Sequence, residues 1–213
     1  MSEFSTRRVM MVDTQVRPSD VTKFPIIAAM LAVPRETYVP EPMREAAYAG
    51  QNIEIGHRRV VLEARSLAKL LDMLNIQPGE RVLDLGCGLG YSAAVIAAIG
   101  GDVVAVEEDA MMAAAAKQTL AGRATVVAGP LVAGAAAQGP FDVVIVQGAV
   151  EVVPSALLDQ LKEGGRVAAI FMAGALGTAR IGYKLDGLIN WRAIFNATAP
   201  ILPGFESKRS FVL

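Results

Sequence analysis

The chain has 213 residues, 53% of them hydrophobic and 19% charged, with a formal net charge of −1; that is enough for one well-filled core and short for two. Such a balance excludes the basic excess that a phosphate backbone or an anionic membrane surface attracts. A single cysteine and a single histidine exclude a disulfide framework and argue against a Cys/His metal cluster, so no metal site is expected.

Residues 1–21 mix Arg7, Arg8, Asp13, Arg17 and Asp20 with isolated apolar residues, with no apolar core of signal-peptide length. No stretch reaches the roughly 20 apolar residues of a membrane span, so cytoplasmic residence is the default expectation. Two helical segments are predicted before residue 81. One covers 20–31 and is interrupted by Pro25; the other covers 65–75, has apolar residues at helical spacing, and ends before Pro78-Gly79.

From Arg81 onward strand and helix alternate. A strand over 82–85 leads to a helix near 92–99, stopped by Gly100-Gly101, and a strand over 103–106 leads to a helix near 109–120, stopped by Gly122. In that helix Glu107, Glu108 and Asp109 precede the Ala-rich run and Lys117 follows it, the charge order that suits a helix dipole. Next come a short strand over 125–127, a weaker Ala-rich segment, and a strand over 141–146. Pro154 then starts a helix running to Leu161, and Gly164-Gly165 leads into a strand over 166–171. Repeated units of this kind imply a parallel sheet with helices on both faces. After Phe171 the alternation stops; 181–185, 191–195 and 210–213 read as antiparallel strands extending the same sheet. No linker, repeat or low-complexity insert appears. The expectation is one α/β domain over 1–213, with an N-terminal helical extension over 1–80.

The segment Arg81-Val82-Leu83-Asp84-Leu85-Gly86-Cys87-Gly88-Leu89-Gly90-Tyr91 carries the functional signal. A buried strand ends in an acid and breaks into glycines at every second position, which lets the backbone turn sharply and approach a ligand. Ligands of such sheets bind at the carboxyl ends of the strands, where Asp84, Glu107 and Gln147 all fall. Asp84 repels a pyrophosphate but attracts the ammonium and sulfonium of S-adenosylmethionine. Gly88-Leu89-Gly90-Tyr91-Ser92-Ala93 also matches the G-x-G-x-x-A of nicotinamide and flavin sites, and Glu107 lies at a ribose-binding distance in either reading. The G-x-G-x-G spacing from Gly86, the acid at position 84 and the lack of a second nucleotide half favour S-adenosylmethionine over those cofactors; a plain glycine turn with no ligand stays open as the other alternative. Cys87 is read as a small loop residue.

The motif order resembles the protein-L-isoaspartate O-methyltransferase family. The resemblance rests on Met11-Val12, Gln15, Arg17 and Asp20; on Val33-Pro34-Arg35-Glu36-Thr37-Tyr38-Val39-Pro40; and on Ala47-Tyr48 and Ile55-Gly56. It continues through the 82–91 loop, Val106-Glu107, and Phe141-Asp142 with Ile145-Val146. It implies a Rossmann-like class I methyltransferase fold, a seven-stranded, mostly parallel sheet with antiparallel C-terminal strands. It also implies S-adenosylmethionine as cofactor, held by Asp84, Gly86, Cys87, Gly88, Gly90, Tyr91, Glu107 and Glu108, and a peptide or protein substrate methylated on a carboxylate.

Two stretches depart from the family pattern. Its G-Q-T-I-S-x-P substrate loop is replaced by His57-Arg58-Arg59-Val60-Val61-Leu62-Glu63-Ala64, with Val60, Leu62 and Ala64 at the Thr, Ser and Pro positions. Its G-D-G after the third strand is Gly129-Pro130-Leu131, without the acid. The family's hydroxyl position is therefore Leu62, and no residue is assigned a catalytic role. Carboxyl methylation is mostly a matter of holding oxygen, methyl and sulfur in line, so slow turnover of isoaspartyl peptides is expected, with cofactor binding less affected. Two alternatives stay open: a non-catalytic homologue kept for binding or regulation, and a methyltransferase for another anionic acceptor. Arg58 and Arg59, with His57, suit such an acceptor, but the expected arrangement is that both arginines are solvated or paired with Glu54 and Glu63. Trp191 and the four tyrosines are not interleaved with basic residues, so no nucleic-acid partner is expected.

Overall fold

The structure, a computed structural model, describes residues 3–207. Helices α1 (Glu3–Met11), α2 (Phe24–Ala32) and α3 (Ala64–Leu74) form an N-terminal layer, joined by π- and 3-10 turns over 12–19 and 35–46. Between α2 and α3 lies a hairpin, β1 (Ile53–Gly56) and β2 (Arg59–Val61). Then follow β3 (Arg81–Leu85), α4 (Tyr91–Ile99), β4 (Asp102–Glu107), α5 (Ala110–Leu120), β5 (Thr125–Ala128), β6 (Phe141–Val150), α6 (Ser155–Leu158), β7 (Leu161–Ala173), β8 (Leu176–Leu185) and β9 (Leu188–Asn196).

One sheet takes β3 to β9 in the order β5-β4-β3-β6-β7-β8-β9. The first five strands in that order run parallel, β8 pairs antiparallel with β7, and β9 pairs antiparallel with β8. The expected seven-stranded sheet is therefore present. Strand order reverses beside β3, which pairs with β4 on one side and β6 on the other, so the crevice at the carboxyl end of β3 is the natural ligand position.

The period of two along these strands divides the core. Val82, Val103, Ala105, Val143 and Ile145 pack with side chains of α2 to α5. Leu83, Leu85, Val104, Val106, Val144 and Val146 face the other way, against Leu131, Leu157, Leu202 and Phe205. Helices on both faces were expected, and this second face departs from that. Its cover is the four-residue α6, the 3-10 turns Leu131–Ala133 and Ala136–Gln138, and the segment after β9. Pro130, Gly134, Gly139 and Pro140 break the Ala-rich run into turns. The helix expected from Pro154 to Leu161 ends at Leu158, because Leu161 is already paired with Phe141 in the sheet.

Pro25 starts α2 rather than interrupting it, sitting in the first turn where its missing N–H costs nothing. Asp109 caps α5 by accepting from the Met112 amide at 2.9 Å. Helix α5 ends at Ala121 in the left-handed region, one residue before the glycine expected to stop it. Strands β6 to β9 all run longer than expected. The strand expected over 210–213 lies outside the described residues. No helix among the described residues is long and apolar enough to cross a membrane.

Candidate functional site

Strand β3 delivers Asp84 to the sheet's carboxyl edge with its side chain fully buried. Its Oδ2 accepts from Ser92 Oγ at 2.6 Å and its Oδ1 from Gln147 Nε2 at 2.8 Å. Ser92 comes from the first turn of α4 and Gln147 from β6, so three adjacent elements fix one carboxylate. Burial pushes Asp84 up to about 6; the two hydrogen bonds pull against that, and the Glu107 charge adds to it.

The loop from Gly86 to Gly90 folds over the end of β4. The amides of Gly86 and Cys87 donate to Val106 O at 2.9 and 3.3 Å, and Gly86, Gly88 and Gly90 all have positive φ, which only glycine adopts without strain. Cys87 is buried, and burial holds its thiol well above the ordinary range, so it is no nucleophile. The Tyr91 ring turns away from the glycine loop into the N-terminal layer, where the Arg35 guanidinium lies 4.8 Å from its centroid and Tyr38 5.8 Å.

Glu107, at the end of β4, is also fully buried. It accepts from the Gly88 amide at 2.9 Å and the Asp109 amide at 3.0 Å. Arg59 supplies the rest. Its Nε lies 3.1 Å from both carboxylate oxygens and its Nη2 3.0 Å from Oε1, with the two side chains 2% and 0% exposed. The same Nη2 is 3.7 Å from Oε2 of Glu108, whose side chain is 42% exposed. Arg58 pairs with Glu206 at 2.9 Å, and His57 Nδ1 stands 3.1 Å from Asp109 Oδ2. The expectation that these arginines are solvated or paired with Glu54 and Glu63 is thus corrected for Arg59, which is buried on Glu107, and for the partner of the half-exposed Arg58, which is Glu206. The hairpin turn carries them over the end of β4, out of reach of both acids, and Glu63 pairs with Arg65 instead.

The hairpin and the C-terminal segment close the crevice. A side chain on Gly88 would run into Ile55 Cδ1 of β1, and one on Gly86 would meet Leu202 Cδ1 at 3.1 Å. Leu202 is fully buried and its backbone pairs with Ala149. What remains beside Cys87, Tyr91, Ser92 and Gln147 is a cavity of about 10 Å³, walled by Val60, Val61, Leu62 and Leu67. Leu62 and Val60 are thus wall residues with no polar atom to offer. An open cleft of about 480 Å³ lies outside the clasp, among His57, Arg58, Arg59, Glu108, Asp109 and Pro203. A wider one, about 550 Å³, lies away from the glycine loop, between Gly50–Asn52, Glu63 and the ends of β8 and β9. No group of three or more His, Cys, Asp or Glu among the described residues is placed to hold a metal.

Sequence reasoning found both acids, the glycine loop and Gln147. It missed Ser92 as Asp84's donor and Arg59 as Glu107's partner. A hydroxyl one turn into the helix after the loop is a readable signal; a partner 48 residues away is not.

The family model for protein-L-isoaspartate(D-aspartate) O-methyltransferase matches residues 8–173. A protein-L-isoaspartate O-methyltransferase of Methylorubrum extorquens is 36% identical over 163 residues, 75% of this chain and 72% of that one. One from Gloeobacter violaceus is 37% identical over 161 residues, 74% and 78% of the two chains. A solved protein-L-isoaspartate O-methyltransferase superposes with a TM-score of 0.80 at 23% identity, covering 94% of this chain and 66% of its own. A second, described as a putative enzyme of that kind from Plasmodium falciparum in complex with S-adenosyl-L-homocysteine, gives 0.78 at 18% identity, with 95% and 99% covered.

Proposed function

The chain belongs to the protein-L-isoaspartate O-methyltransferase family, and from that premise we propose that it is an S-adenosylmethionine-dependent methyltransferase acting on a peptide or protein carboxylate. The observation that carries this reading is the pair of buried acids, Asp84 and Glu107, at the ends of adjacent strands on either side of the glycine loop. Asp84 is suited to the cationic amino-acid end of the cofactor and Glu107 to its ribose hydroxyls. The backbone of Gly86, Cys87, Gly88 and Gly90 would pass close to the ligand, with Glu108 at the rim. Tyr91 would act only by bracing the loop from behind. The reading includes one domain over the whole chain and residence in the cytoplasm.

The donor set fits the group in kind, but the present space does not fit it in size. A cavity of about 10 Å³ stands against the roughly 300 Å³ of a small ligand site. Binding requires the hairpin and the Leu202 segment to part. Titration calorimetry with S-adenosylmethionine, S-adenosylhomocysteine and NAD tests the assignment. The two sulfur ligands should bind and NAD should not; tighter binding of NAD would sink it.

The acceptor side is a separate matter. Val60 and Leu62 are buried and apolar, so the loop lacks the hydroxyls with which the family's loop positions a carboxylate. Native protein should methylate an isoaspartyl peptide slowly, and the Val60→Thr, Leu62→Ser double variant should gain on the order of ten- to a hundredfold, the worth of one or two positioning hydrogen bonds. A radiolabelled methyl-transfer assay reads both. Robust native turnover with no gain in the variant would refute this account of the loop. The second reading, a homologue kept for binding or regulation, is favoured by Arg59 being seated on Glu107. Cofactor binding without transfer in either protein would select it.

A further inference from the structure

The hairpin that closes the crevice is held at its tip by contacts with acids. Consecutive residues His57, Arg58 and Arg59 each reach an acid, respectively Asp109, Glu206 and Glu107. His57 and Arg58 have φ of 50° and 58°, the left-handed region that non-glycine residues enter at a cost. A turn bent this way without glycine at its centre gains from being tied down. Of the three pairs only Arg59–Glu107 is buried.

We propose that Arg59 is an internal latch on the cofactor site, its guanidinium standing where the ribose hydroxyls of an adenosyl ligand would bind. This rests on the reading of Glu107 as the ribose-binding carboxylate. A vicinal diol presents two adjacent donors to a carboxylate, and so does the edge of the guanidinium formed by Nε and Nη2. Glu107 also accepts from two backbone amides, so its lone pairs are filled while Arg59 is in place. Ligand and arginine therefore exclude one another.

The latch has somewhere to go. Glu108 follows Glu107 directly, and its exposed carboxylate is already 3.7 Å from Arg59 Nη2. The 480 Å³ cleft beside it gives room for the side chain to swing outward. In that position the guanidinium keeps an ionic partner and regains water, so release does not strand a buried charge. Ile55 lies on the same hairpin and leaves Gly88 when the hairpin lifts, which frees the backbone surface an adenosyl ligand needs. The opening of the hairpin thus goes with the transfer of one arginine between two neighbouring acids. Apparent affinity in the native chain is reduced by the fraction of molecules that are open.

The test uses the full chain, native and as Arg59→Gln and Arg59→Lys, with S-adenosylhomocysteine as the probe. Calorimetry should show Arg59→Gln binding on the order of 5- to 150-fold tighter than native, the usual range of coupling between two binding events. Arg59→Lys, which keeps a charge but not the fork, should fall between them. Hydrogen exchange of the native protein should accelerate in the amides of residues 53–61 when the ligand saturates it. That measurement stands even if a variant folds poorly. Equal affinities, with hairpin exchange unchanged by ligand, overturn the latch and leave the cofactor reading intact. Failure of all three proteins to bind at millimolar ligand overturns both.

Discussion

Replacing Glu107 with alanine is expected to cost on the order of 3–5 kcal/mol of folding stability, the usual result of removing one partner of a buried ion pair. The Arg59 side chain is 2% exposed and its other acid, Glu108, is 3.7 Å away. Losing Glu107 leaves the Arg59 guanidinium either buried without its main counter-charge or drawn out to Glu108 with the hairpin lifted off the crevice, and leaves the Gly88 and Asp109 amides without their acceptor. Either loss alone destabilises. Against a total of about 5–15 kcal/mol for a domain, the variant should unfold at much lower urea. The Arg59→Met, Glu107→Gln double variant removes the charge pair together and keeps an amide oxygen for the loop. It should recover more than half of the loss, because a pair replaced as a unit leaves no orphan charge. Urea midpoints of the native protein and both variants decide this. A Glu107→Ala protein as stable as native would mean that neither the loss of an acceptor for the two amides nor the displacement of Arg59 and its hairpin costs anything.

The parts of this molecule that were legible in the sequence are those in which local chemistry and final environment agree. Strand β3 is apolar because both its faces are covered, and the glycines after it are forced by a turn that needs positive φ. Strand, loop and helix could therefore be placed within a residue or two. The same holds for α5, where the Asp109 cap and Lys117 sit at the ends that the dipole favours. Legibility failed where long-range packing decided. Residues 131–138 are Ala-rich and read as weakly helical, yet turn chemistry at Pro130, Gly134, Gly139 and Pro140 bends them under the sheet. The helices of the first twenty residues were also missed. Helix α1 buries only Met11, so it shows no apolar stripe to read.

The candidate site divides along the same line. Asp84, the glycines and Glu107 are neighbours in one βαβ unit, and spacing along the chain is nearly spacing in space. Arg59 reaches Glu107 only because the β1–β2 hairpin crosses over the end of β4, and Leu202 reaches Gly86 only after the whole sheet is built. Both closures come from outside the unit that carries the motif. A motif thus predicted the floor of the site but not its lid.

Asp84→Asn should make the protein more stable near pH 7.5, by about 2–3 kcal/mol, while weakening any binding of S-adenosylmethionine. The Asp84 carboxyl stands at about 6 in the folded chain against an ordinary value of 3.8, chiefly through burial. A folded-state value above the unfolded one means that the folded chain binds the extra proton between about 4 and 6. Stability therefore falls as pH rises through that window, and the full cost of the buried charge is present above it. A rise from 3.8 to about 6 is worth roughly 3 kcal/mol between the protonated and ionised forms. Asparagine removes the charge and keeps the shape. Its oxygen accepts from Gln147, and its amide donates to a Ser92 hydroxyl that turns to accept. Urea titrations at about pH 4.5 and about pH 7.5 check the sign. The variant's advantage should be small at the lower pH and large at the higher. An advantage that does not grow with pH would mean that the two hydrogen bonds, and not burial, govern this carboxyl. A charge kept at such a cost, at the mouth of a glycine loop, is the expected signature of the proposed cationic-ligand role of Asp84, in which stability and function would pull on it in opposite directions.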